Sequence, residues 1–283
     1  MRFRTEIETN VSPRPITADE SLVFLGSCFA DNMGARLQQY GFDVTSNPLG
    51  PLFNPASLAS TASRALDGRG FGTGDLTEVD GTWHCLDAAA RYCSPDSEAL
   101  LRALNDRFRA LTDAFTSGDC TLFVTFGTAY IYEYAASGRI VANCHRLPLG
   151  SFVRRRMSVD EITATWRPLM ERLRQKNIRT IFTVSPVRHV ADGLHANNIS
   201  KSTLMLAVDA LGAEYFPAYE IVCDDLRDYR FYAPDLKHPS ETAVDYIYEV
   251  FAETYFSAAT KETAARRHAQ YLREAHRQQP PIL

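Results

Sequence analysis

Residues 21–31 read SLVFLGSCFAD. Ser21–Leu25 is a short, mostly apolar run that stops at Gly26. A run of this length bounded by glycine is the pattern of a strand buried on both faces of a parallel sheet. From Ala30 to Tyr40, the side chains of Met33, Leu37 and Tyr40 fall on one helical face, which predicts a helix. The turn Gly26-Ser27-Cys28-Phe29 therefore lies at the carboxyl end of a strand, where open α/β sheets bind their ligands. A serine there can offer an exposed hydroxyl and a backbone N–H to a pocket. Serine is also a good helix N-cap, and capping alone accounts for it equally well.

Working outward, strand and helix patterns alternate along the chain. Gly41–Ser46 predicts a second short strand. Asn47–Pro55 follows, with three prolines, a glycine and two asparagines in nine residues, and can only be a packed loop. Ala56–Leu66 predicts a helix. In Asp96–Ser117 the residues Leu100, Leu104, Phe108, Leu111 and Phe115 keep a helical period. Cys120–Phe126 (CTLFVTF) is the strongest strand and ends at Gly127-Thr128. Ser158–Lys176 is a helix opened by a Ser158/Glu161 capping box. Ile178–Val184 predicts another buried strand, Asn197–Leu211 a helix, and Ala213–Phe216 a short strand. Asp224–His238 is an irregular loop. A final core helix starts at Pro239, the first helical position that proline favours.

This order predicts an α/β fold with three layers, α/β/α, around a parallel flavodoxin-like sheet. The chain 1–283 is expected to form a single domain. Residues 67–95, with the hairpin signal Asp80-Gly81, and residues 130–150, with Ser137-Gly138, break the pattern and are expected as hairpin-bearing insertions near the site. Residues 260–283 are polar and charged and are expected as a C-terminal tail, either a surface helix or a loose segment.

With 45% hydrophobic residues the chain can bury a large core. Thirty basic against thirty-four acidic side chains give a net charge of −4, which carries no bias toward nucleic acid or anionic membrane. No stretch approaches the roughly 18 consecutive apolar residues of a membrane span. The first fifteen residues contain no apolar segment of signal-peptide length. A cytoplasmic protein is expected, with no membrane or nucleic-acid partner. None of the six cysteines forms a C-x-x-C pair, so reduced, mostly buried thiols are expected, with neither metal nor cofactor.

The second decisive piece is Asp235-Leu236-Lys237-His238. An aspartate three residues before a histidine can set its carboxylate against Nδ1, fixing the tautomer and leaving Nε2 as a base. Taken alone, such a pair is more often an exposed surface contact. A base with an orienting carboxylate calls for a nucleophile, and Ser27 is the candidate.

Together, Gly-Ser at the end of the first strand and Asp-x-x-His before the last core helix resemble the first and last sequence blocks of the SGNH (GDSL-like) hydrolases. Gly26-Ser27-Cys28-Phe29-Ala30 also spells the signature of the GSCFA family. The resemblance extends through NPLGPLFNP near residue 50, FGTAYIY at 126–132, ANCHRLP at 142–148, SPVRH at 185–189 and YFPAYEIVCDDLRDYRFYAPDLKHPS at 215–240. It implies ester hydrolysis or acyl transfer through Ser27, Asp235 and His238, on a small-molecule or carbohydrate O-acyl ester, acetyl by analogy with the superfamily. The oxyanion hole would be formed by Ser27, Gly50 and Thr128.

The chain also departs from that pattern. The usual Gly-Asp-Ser is here Gly26-Ser27, and the third block lacks its Gly-x-Asn-Asp. Thr128, or Asn54 or Asn143 from neighbouring loops, would have to supply the missing donor, and removing one such donor costs about 100–1,000-fold in turnover. Cys28 is a second potential nucleophile, but only one of two neighbouring residues on a turn can face His238, and family position favours Ser27. Arg188 and His189, just beyond a core strand, are candidates for binding an anionic or hydroxyl-rich substrate, unless Arg188 pairs with Asp224, Asp225 or Asp228. His145 is a further candidate. The rival reading is a non-catalytic binding protein that kept the fold. A dinucleotide enzyme is disfavoured because no G-x-G-x-x-G follows the first strand.

Overall fold

The computed structural model describes residues 4–277. Its centre is a five-stranded sheet of β1 (Ser21–Gly26), β2 (Val44–Ser46), β6 (Cys120–Phe126), β10 (Arg179–Val184) and β11 (Glu214–Tyr215). All four pairings are parallel, in the order β11-β10-β6-β1-β2. In chain order this is 2-1-3-4-5, the flavodoxin-like winding, whose direction reverses between β1 and β6. The Ser27 turn sits at that reversal.

The apolar runs are continuous because both faces of the sheet are covered. Val23 and Leu25 of β1, Leu122 and Val124 of β6 and Phe182 of β10 enter one core with α2 (Pro55–Leu66), α3 (Ser97–Ser117), α4 (Val159–Gln175) and α5 (Leu194–Leu211). Leu22 and Phe24, Phe123 and Ile181 point the other way. They pack with α1 (Cys28–Gln39), α7 (Glu241–Tyr255) and α8 (Ala258–Arg277). Between β11 and α7 the chain makes the short turn α6 (Ala218–Glu220), which runs on into a π-helical turn, Ile221–Leu226. The three-layer α/β/α architecture follows directly from this alternation of inward faces along each strand.

Two small antiparallel sheets stand apart from the central one. The first is β3 (Thr77–Val79), β4 (Thr82–His84) and β5 (Cys93–Ser94). Asp80 and Gly81 both take positive φ, 50° and 77°, as a type I′ hairpin turn requires. The second is β7 (Tyr130–Tyr134), β8 (Arg139–Val141) and β9 (Phe152–Arg156), in the order β8-β7-β9. A buried pair of histidines joins the two additions: His84 and His145 meet edge to face, with their Nδ1 atoms 3.4 Å apart.

Of the two alternatives for the polar stretch after residue 260, the structure has the helix rather than a loose tail. It is helical through Arg277, because Thr260 and Ala264 bury against the core and Arg267 donates to the carbonyls of Ala18 and Gly41; residues 278–283 lie outside the described residues. Helix α7 does not start at Pro239 either. Ser240 caps it through Ala243 N–H, which leaves Pro239 in the preceding turn.

Candidate active site

The site is built at the carboxyl edge of the sheet. Strand β1 ends at Gly26, whose φ is +154° and where an added Cβ would lie 2.4 Å from the carbonyl oxygen of Thr125. Only glycine lets β1 close on β6 at that point. Ser27 then caps α1, its Oγ accepting from Phe29 N–H at 3.3 Å. The turn is braced from beside β2 by Asn47. Asn47 Oδ1 accepts from Gly26 N–H at 2.8 Å, and Nδ2 donates to Ser27 O at 3.3 Å and to Asp31 Oδ1 at 2.8 Å. Ser46 Oγ also donates to Asp31 Oδ1. Burial nevertheless pushes the Asp31 carboxyl above its ordinary range, against the hydrogen bonds from Ser46 and Asn47 that favour its charge.

The hydroxyl of Ser27 is not exposed. The residue is 1% accessible, and its Oγ donates to Ser185 Oγ at 2.8 Å. Ser185 is the first residue after β10, and its N–H continues the sheet by donating to Phe126 O. Directly beneath lies Lys201 of α5, almost fully buried, with Nζ 2.6 Å from Gly127 O and 2.7 Å from Ser185 O. Burial pushes this ammonium down to about 7. Among the described residues no backbone carbonyl accepts from the N–H of Ser27.

Asp235 and His238 do meet. Asp235 Oδ2 lies 2.6 Å from His238 Nδ1, while Oδ1 accepts from the N–H groups of Lys237 and His238. The histidine contact and those two N–H groups hold the carboxyl well below the usual carboxylate range. Both side chains are exposed. Their loop is closed by Ala233 N–H on His238 O and by Ser240 N–H on Phe231 O, and it is tied to the Ser185 loop by Arg188 N–H donating to Lys237 O at 3.2 Å. No hydrogen bond joins Ser27 to His238, and His238 Nε2 has no partner among the described residues.

The other candidates from the sequence are largely committed elsewhere. Gly50 closes a turn, its N–H donating to Asn47 O at 2.7 Å. Thr128 gives its N–H to Phe53 O and pairs its hydroxyl with Ser200 Oγ, so neither group is available as an oxyanion donor in this state. Asn54 is buried as the N-cap of α2, accepting from Ser57 N–H. Asn143 Oδ1 accepts from His145 N–H, and His145 is buried with Nε2 against Ala88 O. All three serve local structure. His189 pairs with Asp192 at 3.0 Å. Arg188 forms no ion pair among the described residues: Asp225 is held by Arg4 and Asp228 by Arg230. Its guanidinium instead lies over the rings of Tyr232 and Tyr229, 4.3 and 5.2 Å from their centroids. Cys28 opens α1 half-buried; burial and the neighbouring Asp31 push its thiol up, which makes it a poor nucleophile.

Sequence reasoning missed Asn47, Ser185 and Lys201 as residues of the site. Ser185 stood in the conspicuous SPVRH stretch directly after a strand. Lys201 carried a weaker signal, a cation on the helix face shared with Asn197 and Leu204.

No curated protein matches the sequence. A solved structure of the psychrotrophic esterase EstA from Pseudoalteromonas sp., inhibited by monoethylphosphonate, is similar at 10% identity. The match covers 83% of this chain and 96% of that one, with a TM-score of 0.37, a likeness too distant to carry functional weight. The model of the GSCFA family matches residues 21–251, from the first residue of β1 into α7 and so across the whole site. A match over most of the chain, spanning the Gly26–Ala30 turn and the Asp235–His238 loop, shows that this protein belongs to the GSCFA family.

Proposed function

We propose that this protein is a serine ester hydrolase or O-acyltransferase with Ser27 as nucleophile, His238 as general base and Asp235 as its orienting carboxylate. The observation that carries the reading is the Asp235–His238 contact of 2.6 Å, which leaves Nε2 free, on a loop bonded to the one that holds Ser27 through Ser185. The carboxylate selects the tautomer with the proton on Nδ1 and stabilises the imidazolium that forms. In the reaction the Ser27 hydroxyl turns from Ser185 toward Nε2 and gives up its proton as Oγ attacks the ester carbonyl. The imidazolium then returns that proton to the departing alcohol. Water, or an acceptor hydroxyl, takes the acyl group from Ser27 in the second half. The unengaged N–H of Ser27 is the oxyanion donor this reading relies on. An acetyl ester on a carbohydrate is the substrate class we favour. Arg188, stacked on two tyrosines and free of carboxylate partners among the described residues, is assigned to an acidic or hydroxyl-rich part of it.

A second reading, a binding protein without turnover, draws support from the burial of Ser27 and from the commitment of the Gly50 and Thr128 N–H groups. A fluorophosphonate probe separates the two. Under the catalytic reading the adduct maps to Ser27 and is lost in Ser27→Ala but kept in Cys28→Ala. Absence of any adduct and of aryl-acetate turnover in the folded wild type would leave the binding reading standing.

A further inference from the structure

Helix α5 turns an unusual face toward the sheet. At spacings of three and one, Asn197, Ser200 and Lys201 are all buried, and each bonds a turn at the carboxyl edge. Asn197 Oδ1 accepts from His189 N–H at 3.0 Å. Ser200 Oγ accepts from Ala129 N–H at 2.8 Å and meets Thr128 Oγ1 at 3.1 Å. Lys201 Nζ donates both to Gly127 O, at the end of β6, and to Ser185 O, at the end of β10. A buried ammonium is costly unless its donors are used, and hydrophobic residues would fill this place at less expense. The carbonyls it holds belong to the turns that follow β6 and β10, and the second of these holds the Ser27 hydroxyl directly.

We propose that Lys201 is a positioning residue for the reaction at Ser27: by drawing the Gly127 and Ser185 carbonyls onto one ammonium, it fixes the Ser185 hydroxyl that orients Ser27 Oγ. The inference rests on the assignment of Ser27 as nucleophile. Strand-end carbonyls turned inward leave negative potential at the edge where a serine oxygen and then an oxyanion must form. A single cation between them offsets it and locks the spacing of β6 and β10 at the point where the reacting group sits. The ionisable group facing Lys201 is Cys223 of the π-helical turn, whose thiol burial pushes up, with Arg188, Asp224 and Tyr219 grouped around that thiol. Burial favours the neutral form of that thiol, and loss of the ammonium proton removes the charge that Lys201 holds between the two turns.

The test compares wild type, Lys201→Met and Lys201→Arg in two measurements, with folding checked by circular dichroism. The first is the rate of Ser27 labelling by the fluorophosphonate from pH 5.5 to 9.5. Lys201→Met is expected to slow labelling about 10–100-fold, the scale of loss when a partner that orients a metal-ligating side chain is removed. Lys201→Arg recovers part of the rate. The wild-type rate falls on the alkaline side as the ammonium deprotonates, whereas Lys201→Arg does not fall there, because a guanidinium keeps its charge. The second is hydrogen exchange of peptides covering 25–29 and 184–190, expected to be faster in Lys201→Met. Wild-type labelling with no alkaline fall overturns the proposal, as does a folded Lys201→Met that labels like wild type. If wild-type Ser27 never labels, the parent assignment fails. Exchange then still decides the positioning role, and unchanged exchange at 25–29 refutes it.

Discussion

Replacing Asn47 with alanine tests whether the Ser27 turn is held from β2 as the structure requires. The amide of Asn47 makes two buried hydrogen bonds, to Gly26 N–H and Ser27 O, and a partly buried one to Asp31 Oδ1, and the residue itself sits at φ +38°. Alanine leaves the Gly26 N–H without a partner inside the protein, which costs about 1–3 kcal/mol, and forfeits two further bonds at about 0.5–1.5 kcal/mol each. Taking the low end of each contribution gives a loss of about 2 kcal/mol, a sizeable share of a typical domain stability of about 5–15 kcal/mol. Urea denaturation followed by circular dichroism measures it, with the fluorophosphonate labelling rate of Ser27 recorded on the same samples below the transition. Both should fall. Asn47→Asp sharpens the test, since it keeps the acceptor for Gly26 N–H but sets a carboxylate against Asp31. Two carboxylates at that distance hold a shared proton above the ordinary range. A group whose folded pKa is raised contributes stability at low pH and loses it as pH rises, so Asn47→Asp should approach wild type near pH 5 and be weakest near pH 8. A loss under about 1 kcal/mol in Asn47→Ala, with the denaturant slope unchanged, would refute the bracing role.

Asp235→Asn should leave the melting temperature within a degree or two of wild type, because Asp235 is exposed, yet lower aryl-acetate turnover by as much as about 10⁴-fold through loss of the productive imidazole tautomer; turnover within about threefold of wild type would exclude His238 as the oriented base. The buried His84–His145 pair should make the two small sheets acid-sensitive. Burial lowers both imidazoles from 6.5, so the unfolded chain takes up protons first, and stability should fall as pH drops below about 6.5. His84→Phe should flatten that fall in thermal melts between pH 7.5 and 5.5, and an unaltered slope would show that other groups carry it. At Gly26→Ala the new Cβ would be driven into Thr125, so expression as folded protein should drop sharply; a stable, fully labelled variant would show that β1 and β6 part easily at this end.

Local chemistry fixed much of this molecule before any tertiary contact. The runs Ser21–Leu25, Cys120–Phe126 and Ile178–Val184 could be read as central strands because burial on both faces leaves no polar alternation, and the amphipathic period of 97–117 could only be a helix. Asp235 and His238 meet across three residues, so their contact was written into the spacing itself. The polar face of the last helix left helix and loose tail undecided along the chain, because what makes 258–277 ordered is the docking of two small side chains and one arginine rather than an apolar stripe. The immediate partners of Ser27 depended on the fold. Ser185 reaches it across 158 residues, and Lys201 joins turns that lie 58 residues apart, at Gly127 and Ser185. Such pairings follow from strand order and register, which no local pattern encodes. The same holds for the N–H groups of Gly50 and Thr128: each looked free along the chain, and each is taken by a carbonyl, that of Asn47 or Phe53, that only the folded loop places opposite it. A side chain's type and spacing are set by the sequence, but whether its hydrogen-bonding capacity is spent is decided by whatever the closed sheet edge brings within 3 Å, and that is a property of the tertiary structure alone.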